Sequence, residues 1–217
     1  MTQTHTLIAA ALLAKPRRPA KHNVAILLGS LAPDAAVFAL FIWSKFAGIP
    51  ERQLWREVYF SEPMLTYTAI VNSLPLYLAV LLVGIFWVKT SRQKLPAGES
   101  RQQNKSIRVL ATSSALGLFA LAAITHLFGD FPFHASDAHP HFWPFTDWRF
   151  HSSISYWDRR HHGDLFSLIE AFAGVCLSVV LFLRFKSKWI RAMTLIAICA
   201  YLAVPAYFHF VLRGGAG

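Results

Sequence analysis

The sequence predicts an all-α, polytopic membrane helical bundle. Three observations carry that expectation: an apolar composition, stretches long enough to cross a bilayer, and basic residues gathered in alternate connections. Of 217 residues, 55% are hydrophobic and the mean hydropathy is +0.41, too apolar for an ordinary soluble domain. Spans are expected at about 23–43, 65–88, 109–129 and 192–212, each long enough for a hydrocarbon core of about 30 Å. A fifth, at about 165–183, is slightly shorter and carries Glu170 as its one charge.

The net charge of +10 is distributed as topology rather than as a nucleic-acid surface. Lys15, Arg17, Arg18 and Lys21 form one basic segment; Lys89, Arg92, Lys94, Arg101, Lys105 and Arg108 a second; Arg184, Lys186, Lys188 and Arg191 a third. With five spans, all three fall on one side. The positive-inside rule then makes that side cytoplasmic and turns the histidine-rich loop at 130–164 outward, to the periplasm if the chain sits in the inner membrane of a diderm bacterium. Anionic membrane lipids are the expected partners of the basic segments, and nucleic acid is not.

The elements follow in order. Residues 4–14 are apolar but too short to span, and read as a half-membrane helix. The KPRRPAKH run after it is a proline-broken basic turn, and the first residues show no cleavable signal peptide. If the turn marks the cytoplasmic face, a helix of about ten residues lifts His5 by about 15 Å. GSLAPD, Gly29–Asp34, then interrupts the first span with a proline and a carboxylate. Asp34 lies about 18 Å along a helix from His22 and reaches a depth similar to that of His5. It either caps a helix fragment after the break or is a functional intramembrane carboxylate.

Residues 44–64 read as an amphipathic connection on the membrane surface, and 89–108 as a polar linker. Cys176 and Cys199 lie inside the last two spans without a CxxC spacing, which points to apolar packing rather than a metal site or nucleophile.

Seven of the ten histidines fall between His126 and His162, with aspartates among them. Imidazole and carboxylate are the side chains that hold divalent metals and move protons. In ITHLFGD, His126 and Asp130 are four apart, so they share one helix face one turn apart. That spacing suits one metal ion or a helix-end hydrogen bond. An irregular, aromatic segment follows with His134, Asp137, His139, His141 and Asp147, its aromatics suited to a membrane–water boundary. Arg149 and His151 are expected to anchor it. SYWDRRHHGD then supplies His161 and His162, while Asp158 and Asp164 pair with Arg159 and Arg160. Glu170, two helical turns beyond His162, is placed to ligate a metal, orient an imidazole or act as general base. No phosphate loop, nucleophile elbow or dinucleotide fingerprint occurs.

Taken together, Thr4–His5, Leu31-Ala32-Pro33-Asp34 and Thr125–His126 with Asp130 resemble a bacterial inner-membrane family described as metal-dependent hydrolases, the YdjM-like group. The resemblance implies a multi-span bundle that binds a divalent metal through His5, Asp34, His126 and Asp130. The family pattern also has a His-Arg…His-Ser element after the Pro-Asp, whereas residues 44–62 here contain no histidine. Either His161 and His162 supply those ligands or the site is reduced. Helical His and Asp ligands are similar to those of zinc-dependent phospholipases C, a likeness of fold alone. HFWPFTDW and SYWDRRHHG resemble chains labelled cobalamin biosynthesis proteins. A glutamine-dependent amidotransferase would need a cysteine nucleophile and a phosphate-binding domain, which these residues do not supply.

The expectation is therefore a zinc or other divalent metal site at the outer leaflet. His126 and Asp130 are its core ligands, joined by Asp34, His5 and one or both of His161 and His162, with Glu170 as the catalytic base. The reaction class is hydrolysis of an ester or phosphoester of a lipid-like substrate. The alternative is a non-catalytic structural or accessory subunit of a membrane protein complex, its polar groups satisfied among themselves.

Overall fold

A computed structural model describes residues 2–93, 112–156 and 158–207. All regular structure among them is helical, with no strand. The elements are α1 (Thr2–Leu13), α2 (Ala20–Leu31), α3 (Ala35–Phe46), a short α4 (Glu51–Gln53) running into a π-helical turn at Leu54–Val58, α5 (Glu62–Val71), α6 (Leu74–Gln93), α7 (Ala115–Asp130), α8 (Gly163–Arg184) and α9 (Lys188–Tyr207).

Two stretches, Glu62–Ser91 and Gly163–Arg184, are long and apolar enough to cross a membrane, and a third crossing exists if α2 and α3 are one bent span. The predicted spans 65–88 and 165–183 correspond to the first two. The predicted 23–43 is broken: α2 and α3 meet at 73°. Pro33 has no N–H to continue the ladder, and its own carbonyl accepts from Asn72 Nδ2 at 3.2 Å, so the break is closed by the end of α5. Within the described part of the predicted 109–129, the helix starts at Ala115, where Ser114 caps it by accepting from the Gly117 amide at 2.9 Å. At 16 residues α7 rises about 24 Å, less than a full crossing. Residues 109–111, 208–212 of the last predicted span and most of the 89–108 linker lie outside the described residues.

The half-membrane helix is present as α1, and it lies inside the bundle, packed on α2, α7 and α8. Ala9 of α1, Ile26 of α2, Leu118 and Ala122 of α7 and Leu181 of α8 share one buried cluster. Two close approaches depend on glycine. A Cβ at Gly29 would run into the Phe119 carbonyl of α7, and one at Gly129 would run into the His5 ring. These contacts bring the backbone of α2 and the side chain of α1 against α7 at Phe119 and Gly129.

Basic side chains meet at the opposite end of α1. Arg18 Nη1 donates to the Leu13 carbonyl at 2.7 Å and Arg184 Nη1 to the Ala11 carbonyl at 2.5 Å. These are the orphan acceptors and negative pole of a helix C-terminus. Two of the three basic segments thus converge at one end of the bundle. Cys176 and Cys199 depart from expectation: both are exposed on outward helix faces rather than packed in the core.

Residues 131–156 form an irregular, ordered segment, as its prolines and lack of apolar period predict. It folds back on itself through Ser152 N to the His134 carbonyl (2.9 Å), Arg149 Nη1 to the Ala138 carbonyl (3.0 Å) and His151 Nδ1 to the Ala135 carbonyl (2.7 Å). Arg149 and His151 therefore do anchor it. The Leu74 amide donates to the His141 carbonyl at 2.8 Å and His141 Nδ1 to the Asn72 carbonyl at 3.2 Å, tying the segment to the α5–α6 junction.

Candidate metal centre

Three helices converge under this segment. From α1, His5 stacks on His126 of α7 with ring centroids 4.2 Å apart and planes 28° apart. One turn on, Asp130 divides its carboxylate: Oδ2 is 3.0 Å from His126 Nε2 and Oδ1 is 2.8 Å from His5 Nε2. From the α2–α3 break, Asp34 Oδ2 reaches to 3.6 Å from His126 Nε2 and accepts a hydrogen bond from Thr2 Oγ1. Donor atoms of His5, His126 and Asp130 all lie within 4.8 Å of one another, and all three residues are buried. Asp34 is the accessible neighbour, its side chain 24% exposed against 0% for His126 and 6% for Asp130.

The chemistry of the donors shows why a cation fits. His126 Nδ1 lies 2.6 Å from the Ser30 carbonyl, and a carbonyl only accepts, so Nδ1 carries the proton. In the neutral ring Nε2 is then a lone pair, aimed at carboxylate lone pairs 3.0 and 3.6 Å away. Such a meeting of acceptors needs a proton or a metal ion between them. Neither ring nitrogen of His5 meets hydrogen-bond geometry with a described residue, although both are buried, and burying such groups unpaired is costly. The ion-pair partners of Asp34 and Asp130 among the described residues are all imidazoles. Two imidazole nitrogens and a carboxylate, one imidazole oriented through a backbone carbonyl, form a donor set that accepts a divalent metal.

His134 extends the centre. Its Nε2 is 3.4 Å from Asp130 Oδ1 and its Nδ1 is 2.9 Å from Asp137 Oδ2. Burial disfavours its charge, but bonds to Asp130 and Asp137 outweigh that and hold its pKa up at about 10. His139, with its ring 5.1 Å from that of His134, has no such bond. Burial, with the charge of His134 second, pushes it down to about 3.

The residues named by sequence are thus distributed unevenly. His5, His126 and Asp130 come together, with Asp34 beside them. The alternative for Asp34 is decided by its contacts: it is the residue preceding α3, yet its side chain makes no capping bond and faces His126 instead. His161 and His162 are not brought into the group. His161 Nδ1 donates to the Ser153 carbonyl at 3.3 Å, and His162 sits at φ 62° at the start of α8. Asp164 pairs with Arg159 as expected of a local bridge, whereas Asp158 accepts from the Arg160 backbone amide as a cap and not as a salt bridge. Glu170 also stands apart from the donor group: its Oε1 accepts from Thr4 Oγ1 at 2.7 Å, and Thr4 in turn bonds Tyr201 of α9 at 2.6 Å. His134 and Thr2 were not selected by sequence as site residues. The first carries a legible signal, since His126, Asp130 and His134 repeat the four-residue spacing.

No family model, curated protein or solved structure matches the chain.

Proposed function

We propose that the protein is a membrane-embedded, metal-dependent hydrolase that holds one divalent ion, zinc by its N/O donor preference, between His5, His126 and Asp130. The observation that carries this reading is the Nε2 of His126. With the Ser30 contact keeping a proton on Nδ1, Nε2 of the neutral ring presents its lone pair toward two carboxylates. Bound there, the metal would supply Lewis-acid polarisation of an ester or phosphoester oxygen and a lowered pKa for water.

The chain's own groups do the rest. Ser30 fixes the tautomer and orientation of His126, Gly129 leaves room for His5, and His134 holds Asp130 from behind. Three protein ligands would leave an open position, and Asp34, partly exposed, held by Thr2 and 3.6 Å from His126 Nε2, would serve as the proton acceptor. That role suits Asp34 better than Glu170, whose bond to Thr4 lies on another face of α1 and ties α1 to α8. In this reading the five-span topology, with the basic end of α1 cytoplasmic and the histidine-rich segment periplasmic, places the centre in the outer half of a bacterial inner membrane. Amphipathic esters of membrane lipids are then the substrates within reach.

Metal analysis of protein purified without chelator tests the proposal. One equivalent of metal per chain, lost in Asp130→Ala, is expected. Metal-free protein, or Asp130→Ala retaining a full equivalent, would leave the accessory-subunit reading, with a protonated His126 between the carboxylates.

A further inference from the structure

We infer that the outward face of α1 is the floor of a binding groove for the hydrocarbon chain of an amphipathic substrate, whose polar end lies at Thr2 and Asp34. This rests on the hydrolase reading above and adds where the substrate's tail runs.

Helix periodicity divides α1 in two. His5 and Ala9, four apart, face inward and are buried. Thr2, Thr6, Leu7, Ala10 and Ala14 instead line a cavity of about 530 Å³ on the side of the bundle, within the range of small-molecule sites. Leu27, Leu31 and Phe38 of α2 and α3 form one wall, and Leu181, Ile190 and Met193 of α8 and α9 the other. Thr6 and Ala10 are small side chains, which lowers the floor between larger walls.

The groove is polar at the Thr2 end and apolar along its middle, with Asn23, bonded to Lys15, and Thr194 as further polar lining residues. Thr2, Gln3 and Thr6 lie at the end where Thr2 Oγ1 donates to Asp34. From Thr2 to Ala14 the floor runs about 18 Å along the helix, slightly more than half a hydrocarbon core of about 30 Å. That length and the apolar middle of the floor suit one acyl or prenyl chain whose head is presented to the centre at Thr2. A second, larger cavity of about 630 Å³ between α3 and α5 is also apolar. None of its lining residues bonds to a donor of the centre, which is why the α1 groove is the one assigned.

The test uses the full chain in phosphatidylethanolamine–phosphatidylglycerol vesicles containing a phospholipid with a photoactivatable acyl chain. Cross-linked peptides are mapped and metal content is measured in parallel. Cross-links should concentrate on Leu7, Ala10, Leu27 and Met193. Ala10→Trp and, on the opposite wall, Ala197→Trp should each reduce them at least ten-fold while metal content stays at wild-type level. Requiring the loss in both variants separates blockage from a folding defect in one. Cross-links equal in yield at Trp43 and Met64 of the other cavity, or unchanged in both variants, would overturn the inference. Wild-type protein lacking metal but labelled along α1 would defeat the hydrolase reading alone. Full metal without α1 labelling would defeat the groove alone.

Discussion

The imidazole of His126 is locked to the backbone of Ser30: Nδ1 and the carbonyl oxygen are 2.6 Å apart, across the α2–α7 contact that Gly29 makes possible. This one relationship turns a ring buried among apolar residues into a directed donor. It also makes the orientation of that ring depend on the packing of α2 against α7.

Removing a ligand and removing the proton acceptor should separate. Asp130→Ala or His126→Ala should lower metal affinity on the order of 100-fold or more, read by metal analysis after dialysis, since even an outer partner is worth about 10–100-fold. Asp34→Asn should keep the metal and slow hydrolysis of bis-p-nitrophenyl phosphate by about 10²–10⁴-fold, the usual worth of a positioned base.

His134→Gln should weaken metal binding by about 10–100-fold without abolishing it. The substitution removes the group that holds Asp130 Oδ1 at 3.4 Å while leaving both imidazole ligands in place. A metal titration of the apo-protein distinguishes this from the loss expected at Asp130.

Gly129→Ala should damage the centre by crowding alone. The added methyl meets the His5 ring, and overpacking of a buried site costs about 1–3 kcal/mol. The expected result is a lower Tm together with reduced metal content, whereas Gly48→Ala, with open space around its Cβ but a φ of +65°, should lower Tm through backbone strain alone and leave metal content unchanged.

The histidine-rich segment should loosen in acid. His139 is held near 3 in the fold by burial, against an ordinary value of 6.5. The groups acting on it are the rings of His134 and His141 and the carboxylates of Asp130 and Asp137. Below the unfolded value the unfolded chain binds the extra proton, so the contribution of His139 is complete above about pH 6.5 and is lost as pH falls toward 3. Hydrogen exchange of residues 131–156 should rise over that window, and His139→Phe should remove that part of the rise.

Much of the helical layout is legible in sequence because its signals are local. A mostly apolar stretch of eleven residues, 4–14, before a Pro-rich basic turn marks α1, and Pro33 marks the break that bends α2 against α3 by 73°. The start of α7 at Ala115 is not legible in the apolar window, which runs on through the turn residues 112–114. An apolar window does not see that Ser114 caps the helix through its own hydroxyl. The outward cysteines were misplaced for a related reason, since in a chain apolar on every face hydrophobicity does not say which face meets the protein.

The candidate centre divides along the same line. Sequence by itself determined an all-helical chain with membrane-crossing stretches, and it paired His126 with Asp130, because four residues on a helix always return to one face. Only tertiary structure decided that His5 stacks on His126 while His161 and His162 stay outside, and that Asp34 turns inward rather than capping α3. Those outcomes depend on where α1 lies among α2, α7 and α8, and on two glycines that let backbones touch. The physical reason is that side-chain spacing along a helix is set by its own geometry, while the meeting of separate helices is set by packing across hundreds of atoms that no local pattern records.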